Sequence, residues 1–176
     1  MIFVESPMAG AFIVEAEPVV DERGWFARTY CAEEFDRRGL NSRVQQTNAS
    51  FNARKGTLRG MHYQVAPHGE CKLVRCTRGA IYDVIVDLRP DSASYLSWFG
   101  TELSADTARA LYVPEDLAHG FLTLTDTSEV FYQMSSAYMP EAARGVRWDD
   151  PAFGIAWPGK VVVISERDRR YPDYRT

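Results

Sequence analysis

The chain is poor in the residues that hold metals or cross-link a fold. Its 176 residues include three histidines and three cysteines. Cys31, Cys71 and Cys76 are odd in number and form no C-x-x-C pair. That speaks against a disulfide framework and a zinc ribbon, and makes buried, reduced thiols the default. No apolar run is long enough to cross a bilayer, and mean hydropathy is −0.30. The opening MIFVESPMAG lacks a basic segment followed by a long apolar one. No secretory signal is read there, and a cytoplasmic protein without membrane attachment is expected. Positive charge is not in excess either, with 20 Lys and Arg against 24 Asp and Glu, a net charge of −4 and a pI of about 5.4. That balance argues against nucleic acid as a partner, although Arg37–Arg38 and Arg167–Arg170 are local basic spots.

What is present is enough apolar residue for a core: 45% hydrophobic against 25% charged, with no internal repeat, low-complexity run or linker. One domain over residues 1–176 is expected. From Arg43 onward the chain reads as strand after strand. Segments 43–48, 56–64, 71–76, 79–89, 95–104, 109–114, 119–124 and 128–138 are separated by Gly, Pro, Asp or Ser turns. Short strands at roughly 8–12-residue spacing predict an all-β sandwich or barrel. Segment 79–89, GAIYDVIVDLR, is apolar on both alternating faces and belongs between two layers. Before these lie a strand in 11–20 ending at Pro18, a turn at DERG, an extended aromatic run from Trp25 to Tyr30, and a short helix in 31–40 stopped by Gly39. After them, WDDPAFGIAWP reads as irregular, VVVIS as a last strand, and SERDRRYPDY as a short helix with Ser165 as its N-cap.

The stretch Gly56–Gln64, GTLRGMHYQ, places Arg59 and His62 in one strand. His62 reads either as a hydrogen-bonded core histidine or as a proton acceptor. Strict alternation puts Arg59 and His62 on opposite faces, unless Gly60 hosts a bulge that re-aims one of them. His119, in VPEDLAHGF, is either a turn histidine or one facing a cavity at a strand start. Lys72, among apolar neighbours in CKLVR, either snorkels or points into a polar pocket as an oxyanion partner. Tyr132 and Tyr138 share a face if their strand is unbroken, as core aromatics or as a proton donor among them. Asp168 sits three after Ser165, either closing a capping box or orienting a histidine through its second ring N–H.

Taken together, GTLRGMHYQ, KLVRCTRGAIYDVIVDLRP, VPEDLAHGF, EVFYQMSSAYMPEA, VRWDDPAFGIAWP and SERD resemble the dTDP-4-dehydrorhamnose 3,5-epimerase family, from DERGWF at 21–26 to SERD at 165–168. The resemblance implies a cupin-type jelly roll forming a homodimer with strand exchange near the N-terminus. It implies a nucleotide-diphosphate 4-keto-6-deoxysugar as substrate, with no metal or redox cofactor. By motif position, His62 is similar to the family's general base, Tyr132 to its general acid, and Asp168 to the carboxylate paired with the base. Arg59, Lys72, His119 and Tyr138 correspond to substrate-contacting positions. So do Gln46 and Asn48 in QTN, and Arg23 to an arginine on the nucleotide side. The chemistry suits these types: a C4 ketone acidifies the C3 and C5 protons, abstraction leaves an enolate, and Lys72 and His119 are candidates to stabilise its oxygen. Arg59 offers a fork to phosphate.

Two positions depart from the family pattern. Arg28 and Ala143 stand where the family usually has Glu near the substrate, which points to a modified sugar, a different nucleotide, or inversion at one centre. Two rival readings are a metal-dependent cupin enzyme (isomerase or dioxygenase) and a non-catalytic nucleotide-sugar-binding cupin. The metal rival has His62, His119 and His68 to draw on but lacks a His-x-His, because position 60 is Gly. The binding-only rival has no need for an acid and a base.

Overall fold

A computed structural model describes residues 1–175. In chain order the elements are β1 (Ile2–Glu5), β2 (Phe12–Glu15), β3 (Val19–Asp21), β4 (Gly24–Phe26), α1 (Ala32–Asp36), β5 (Gln46–Asn52), β6 (Thr57–Gln64), β7 (Lys72–Arg78), β8 (Ala80–Asp87), β9 (Trp98–Ser104), β10 (Ala110–Val113), β11 (Leu117–Thr123), β12 (Ser128–Met134), β13 (Ala143–Gly145), β14 (Val163–Ile164) and α2 (Glu166–Arg169). Two sheets face each other. One has the order β1-β2-β10-β7-β12-β5, and the other β13-β6-β11-β8-β9, with β14 joining β6 in parallel. Hairpin β3–β4 stands apart as a two-stranded sheet. This is the all-β jelly roll expected.

Between the sheets, Val74, Cys76, Leu111 and Val130 from the first meet Ile81, Ile85, Leu103 and Phe121 from the second. Strand β8 explains why its segment is apolar on both sides. Ile81 and Ile85 enter that central core, while Val84 and Val86 pack under Val146, Phe153 and the C-terminal wrap. The outer face of the first sheet is capped by α1, whose Phe35 packs on Val14, Leu73 and Tyr112. Fully burying such a side chain contributes about 1.5–3 kcal/mol.

Several boundaries differ from expectation. The segment placed at 43–48 pairs instead over Gln46–Asn52, because its ladder follows β12 residue for residue from Met134↔Gln46 to Ser128↔Asn52. Strand β12 ends at Met134, so Tyr138 lies in the following loop and the shared-face premise for Tyr132 and Tyr138 fails. The 11–20 strand breaks after Glu15 and restarts as the β3–β4 hairpin; of the aromatic run only Trp25 and Phe26 stay in a strand. The VVVIS strand shrinks to Val163–Ile164. Ser165 caps α2 as anticipated, its hydroxyl accepting from the Asp168 N–H at 3.1 Å.

Candidate active site

The bulge that the sequence left conditional is present. In the β6–β11 ladder His62 pairs with His119 and Arg59 with Phe121, so two residues of β6 oppose the single Gly120. Gly60 has φ +131°, and a Cβ there would meet the Gly120 Cα at 2.5 Å. The extra residue changes the parity of the strand, and Arg59 and His62 line the same cavity of about 790 Å³ between the sheets. That volume fits a sugar nucleotide.

His62 comes from the second sheet and keeps 43% of its side chain exposed. Its Nε2 lies 2.7 Å from Oδ1 of Asp168, which is 106 residues away in the chain. Helix α2 delivers that carboxylate. Asp168 does not close a capping box; its Oδ2 accepts the Gly60 N–H at 3.3 Å. Burial alone would raise the Asp168 pKa, but the hydrogen bond and charge of His62, with the Gly60 and Ser165 contacts, outweigh it and hold the carboxyl below its usual range. With Nε2–H donated to the carboxylate, Nδ1 carries the free lone pair.

Tyr132 enters the cavity from β12 of the first sheet. Its hydroxyl is 3.3 Å from Ser50 Oγ, and burial pushes the phenol pKa up, aided by the charge of Asp83 and opposed by Ser50 and Arg59. The phenol is therefore held in its protonated form. His119, 5% exposed, meets Tyr132 edge-on with ring centroids 6.3 Å apart. Its Nε2 is 2.7 Å from Oδ1 of the fully buried Asp83.

Arg59 donates from Nε to Asn52 Oδ1 at 2.7 Å, which aims its guanidinium along β5. Lys72, Gln46, Asn48 and Tyr138 also line the cavity, with Gln46 joining Asn48 at 3.1 Å and accepting the Tyr138 N–H at 3.1 Å. Two expected residues stand elsewhere. Arg23 lies on the exposed β3–β4 hairpin, paired with Asp21, and Arg28 is on the surface 3.2 Å from Glu34. Neither lines this chain's cavity. The two departures therefore differ: Arg28 faces away, whereas Ala143 lines the cavity beside Arg144.

Sequence reasoning missed Asp83, Ser50, Glu70 and Arg167, all at or behind the cavity wall. Only Asp83 carried a signal, as an acid inside a strand apolar on both faces. Among the described residues, no group of three or more His, Cys, Asp or Glu is arranged to hold a metal ion.

An imidazole, a phenol and several cations, set in one cavity between two β-sheets, define a cupin-type enzyme equipped for proton transfer on an anionic substrate. Comparison with known proteins narrows the class. Residues 5–176 match the family model described as dTDP-4-dehydrorhamnose 3,5-epimerase. A protein of that name from Methanothermobacter thermautotrophicus is 44% identical, covering 98% of this chain and 94% of its own. The crystal structure of a dTDP-4-dehydrorhamnose 3,5-epimerase from Bacillus anthracis, with TDP and PPi bound, superposes with a TM-score of 0.95 at 38% identity over 98% of this chain and 99% of that one. A 3'-monoepimerase from Streptomyces bikiniensis, in complex with dTDP-quinovose, gives 0.89 at 34% identity over 96% and 85%. The chain belongs to the dTDP-4-dehydrorhamnose 3,5-epimerase family, and it is a sugar-nucleotide epimerase.

Proposed function

We propose that this enzyme inverts C3, C5 or both in a dTDP-linked 4-keto-6-deoxysugar, with His62 as base and Tyr132 as acid. The observation that carries the reading is the placement of the two groups on opposing sheets around one cavity. The C4 ketone acidifies the neighbouring C–H. Its proton passes to Nδ1 of His62, and the C–H electron pair moves into the C–C bond as the ketone oxygen becomes an enolate. The imidazolium that forms is stabilised by Asp168 at 2.7 Å. Lys72 is assigned to the oxygen that gains charge, and His119 lies edge-on against Tyr132. Tyr132 then protonates the carbon from the other side of the ring, and exchange with water resets phenolate and imidazolium. Arg59 is assigned to the diphosphate, with Gln46, Asn48 and Tyr138 along the remaining wall.

The test is incubation with dTDP-4-keto-6-deoxyglucose in deuterated water, read by NMR. Deuterium at C3, C5 or both with an inverted product is expected, and unexchanged substrate would refute the reading. The same spectrum counts the centres. Ala143 is the specific reason to ask, because the cavity wall there carries a methyl group in place of the family's carboxylate.

A single catalytic domain acting in the cytoplasm as a homodimer completes the reading. Support for the dimer comes from hairpin β3–β4, where Val19, Val20 and Phe26 are 70%, 73% and 79% exposed. So much apolar surface on a projecting hairpin suits insertion against a second copy. Arg23 on the same hairpin would then serve the partner's nucleotide site.

A further inference from the structure

Lys72 begins β7 and lines the cavity, yet its side chain is only 6% exposed, and that of Glu70 is 8%. The ammonium Nζ lies 3.0 Å from Glu70 Oε1 and donates to the main-chain carbonyl of His62 at 3.0 Å. The second carboxylate oxygen, Oε2, accepts from Gln64 Nε2 at 3.1 Å. Gln64 is itself 2% exposed and anchored, since its Oε1 accepts the Met139 N–H at 2.7 Å. An ammonium has three donors. One is spent on a carboxylate and one on the backbone of the residue that supplies the base, which leaves a single N–H for the cavity.

We propose that Glu70 is a positioning residue for the epimerisation. It fixes the Lys72 ammonium so that its third N–H meets the oxygen that becomes the enolate. The inference rests on the epimerase reading above. Both Glu70 oxygens already have donors and its side chain is only 8% exposed, so the role assigned to Glu70 runs through Lys72. The donor count also explains why a carboxylate is required. A glutamine has one acceptor and one amino group, so it either turns its NH₂ on the Lys72 ammonium or keeps its oxygen there and turns the NH₂ on the Gln64 amide donor, and in both cases it is neutral. The lysine is then held more weakly or not at all, and in either case its charge is no longer balanced at close range. An interaction of this kind matters most where charge develops, so the loss should fall on kcat rather than on KM.

A double-mutant cycle tests this with steady-state rates on dTDP-4-keto-6-deoxyglucose. Glu70→Gln should lower kcat by about tenfold or more while KM stays within about threefold. In a Lys72→Met background the same substitution should change kcat by less than about twofold, because the group it acts through is gone. A residue that merely holds the fold together would reduce kcat equally in both backgrounds, and that result would overturn the proposal. So would an unchanged kcat in the native background, or an effect mainly on KM. Glu70→Asp, which keeps both acceptors on a shorter stem, guards against a poorly folded Gln variant; its kcat should exceed that of Glu70→Gln, and a lower value counts against the idea. Failure of the unsubstituted enzyme to exchange protons would sink the epimerase reading instead, and is measured separately.

Discussion

The cavity contains two histidine–carboxylate pairs that look alike and are built differently. Both place a His Nε2 2.7 Å from an Asp Oδ1, and the two histidines are direct neighbours across the β6–β11 ladder. His62 keeps 43% of its side chain open, while His119 keeps 5%. The carboxylate of the first pair arrives from a C-terminal helix, that of the second from the core strand β8. Among the described residues Asp83 Oδ2 has no hydrogen-bond partner, whereas Asp168 binds His62 through one oxygen and a backbone N–H through the other. The same pair of residue types can thus stand open to the cavity or sealed in its wall against a phenol. Access and second partners decide which, not the residue types.

Substitution should separate the pairs most sharply in rate. His62→Ala removes the base, and kcat should fall on the order of a thousandfold with the fold intact by circular dichroism. His119→Ala should cost less in kcat, about ten- to a hundredfold, but lower the melting temperature, because it leaves the Asp83 carboxylate buried and unpaired. Equal kcat losses would erase the distinction.

The bulge that brings Arg59 and His62 together gives the next effect. Gly60→Ala forces a Cβ into the Gly120 backbone at positive φ, and should destabilise by about 2–4 kcal/mol. Differential scanning calorimetry reads this as a drop of several degrees. An unchanged melting point would mean the two strands can part without cost.

Acid stability should tell the carboxylates apart. The folded pKa of Asp168 is depressed, so its contribution is fully present above the unfolded value of about 3.9 and is lost as pH falls through the lower folded value. Asp168→Asn should therefore flatten the loss of stability below about pH 4 seen in urea melts of the native protein. An identical acid slope would mean that the ion pair contributes nothing to folding. The smallest change in intrinsic chemistry should come from the hairpin. In the proposed dimer, Trp25→Asp should shift sedimentation to monomer and raise KM by withdrawing the Arg23 assigned there to the second site, and a protein that is monomeric before substitution would refute the dimer. A dimer that persists would remove the hairpin from the interface.

Much of this architecture was legible in the residues. Alternation and turn punctuation located most strands because a half-buried strand must repeat every two residues. The strands not anticipated were short and held by pairing, not pattern: β1 exists as the ladder partner of β2 and β13 as that of β6, with four and three residues. The β12 boundary was overrun because FYQMSSAY keeps aromatic residues beyond the point where Met134 loses its partners.

The order of residues by itself settled that this chain makes an all-β sandwich or barrel, and that His62 with Arg59 sits on a strand interrupted by glycine. These are local properties, written in periodicity and in the absence of a side chain at position 60. The resemblance already paired Asp168 with His62, but only the folded molecule showed that His119 has a carboxylate of its own, Asp83 from strand β8. Folding also turned Glu70 from an unremarked acid into the anchor of Lys72, and set Arg23 away from its own cavity. The physical reason is that a strand's sequence specifies its two faces, whereas what lies opposite each face follows from pairings between distant segments.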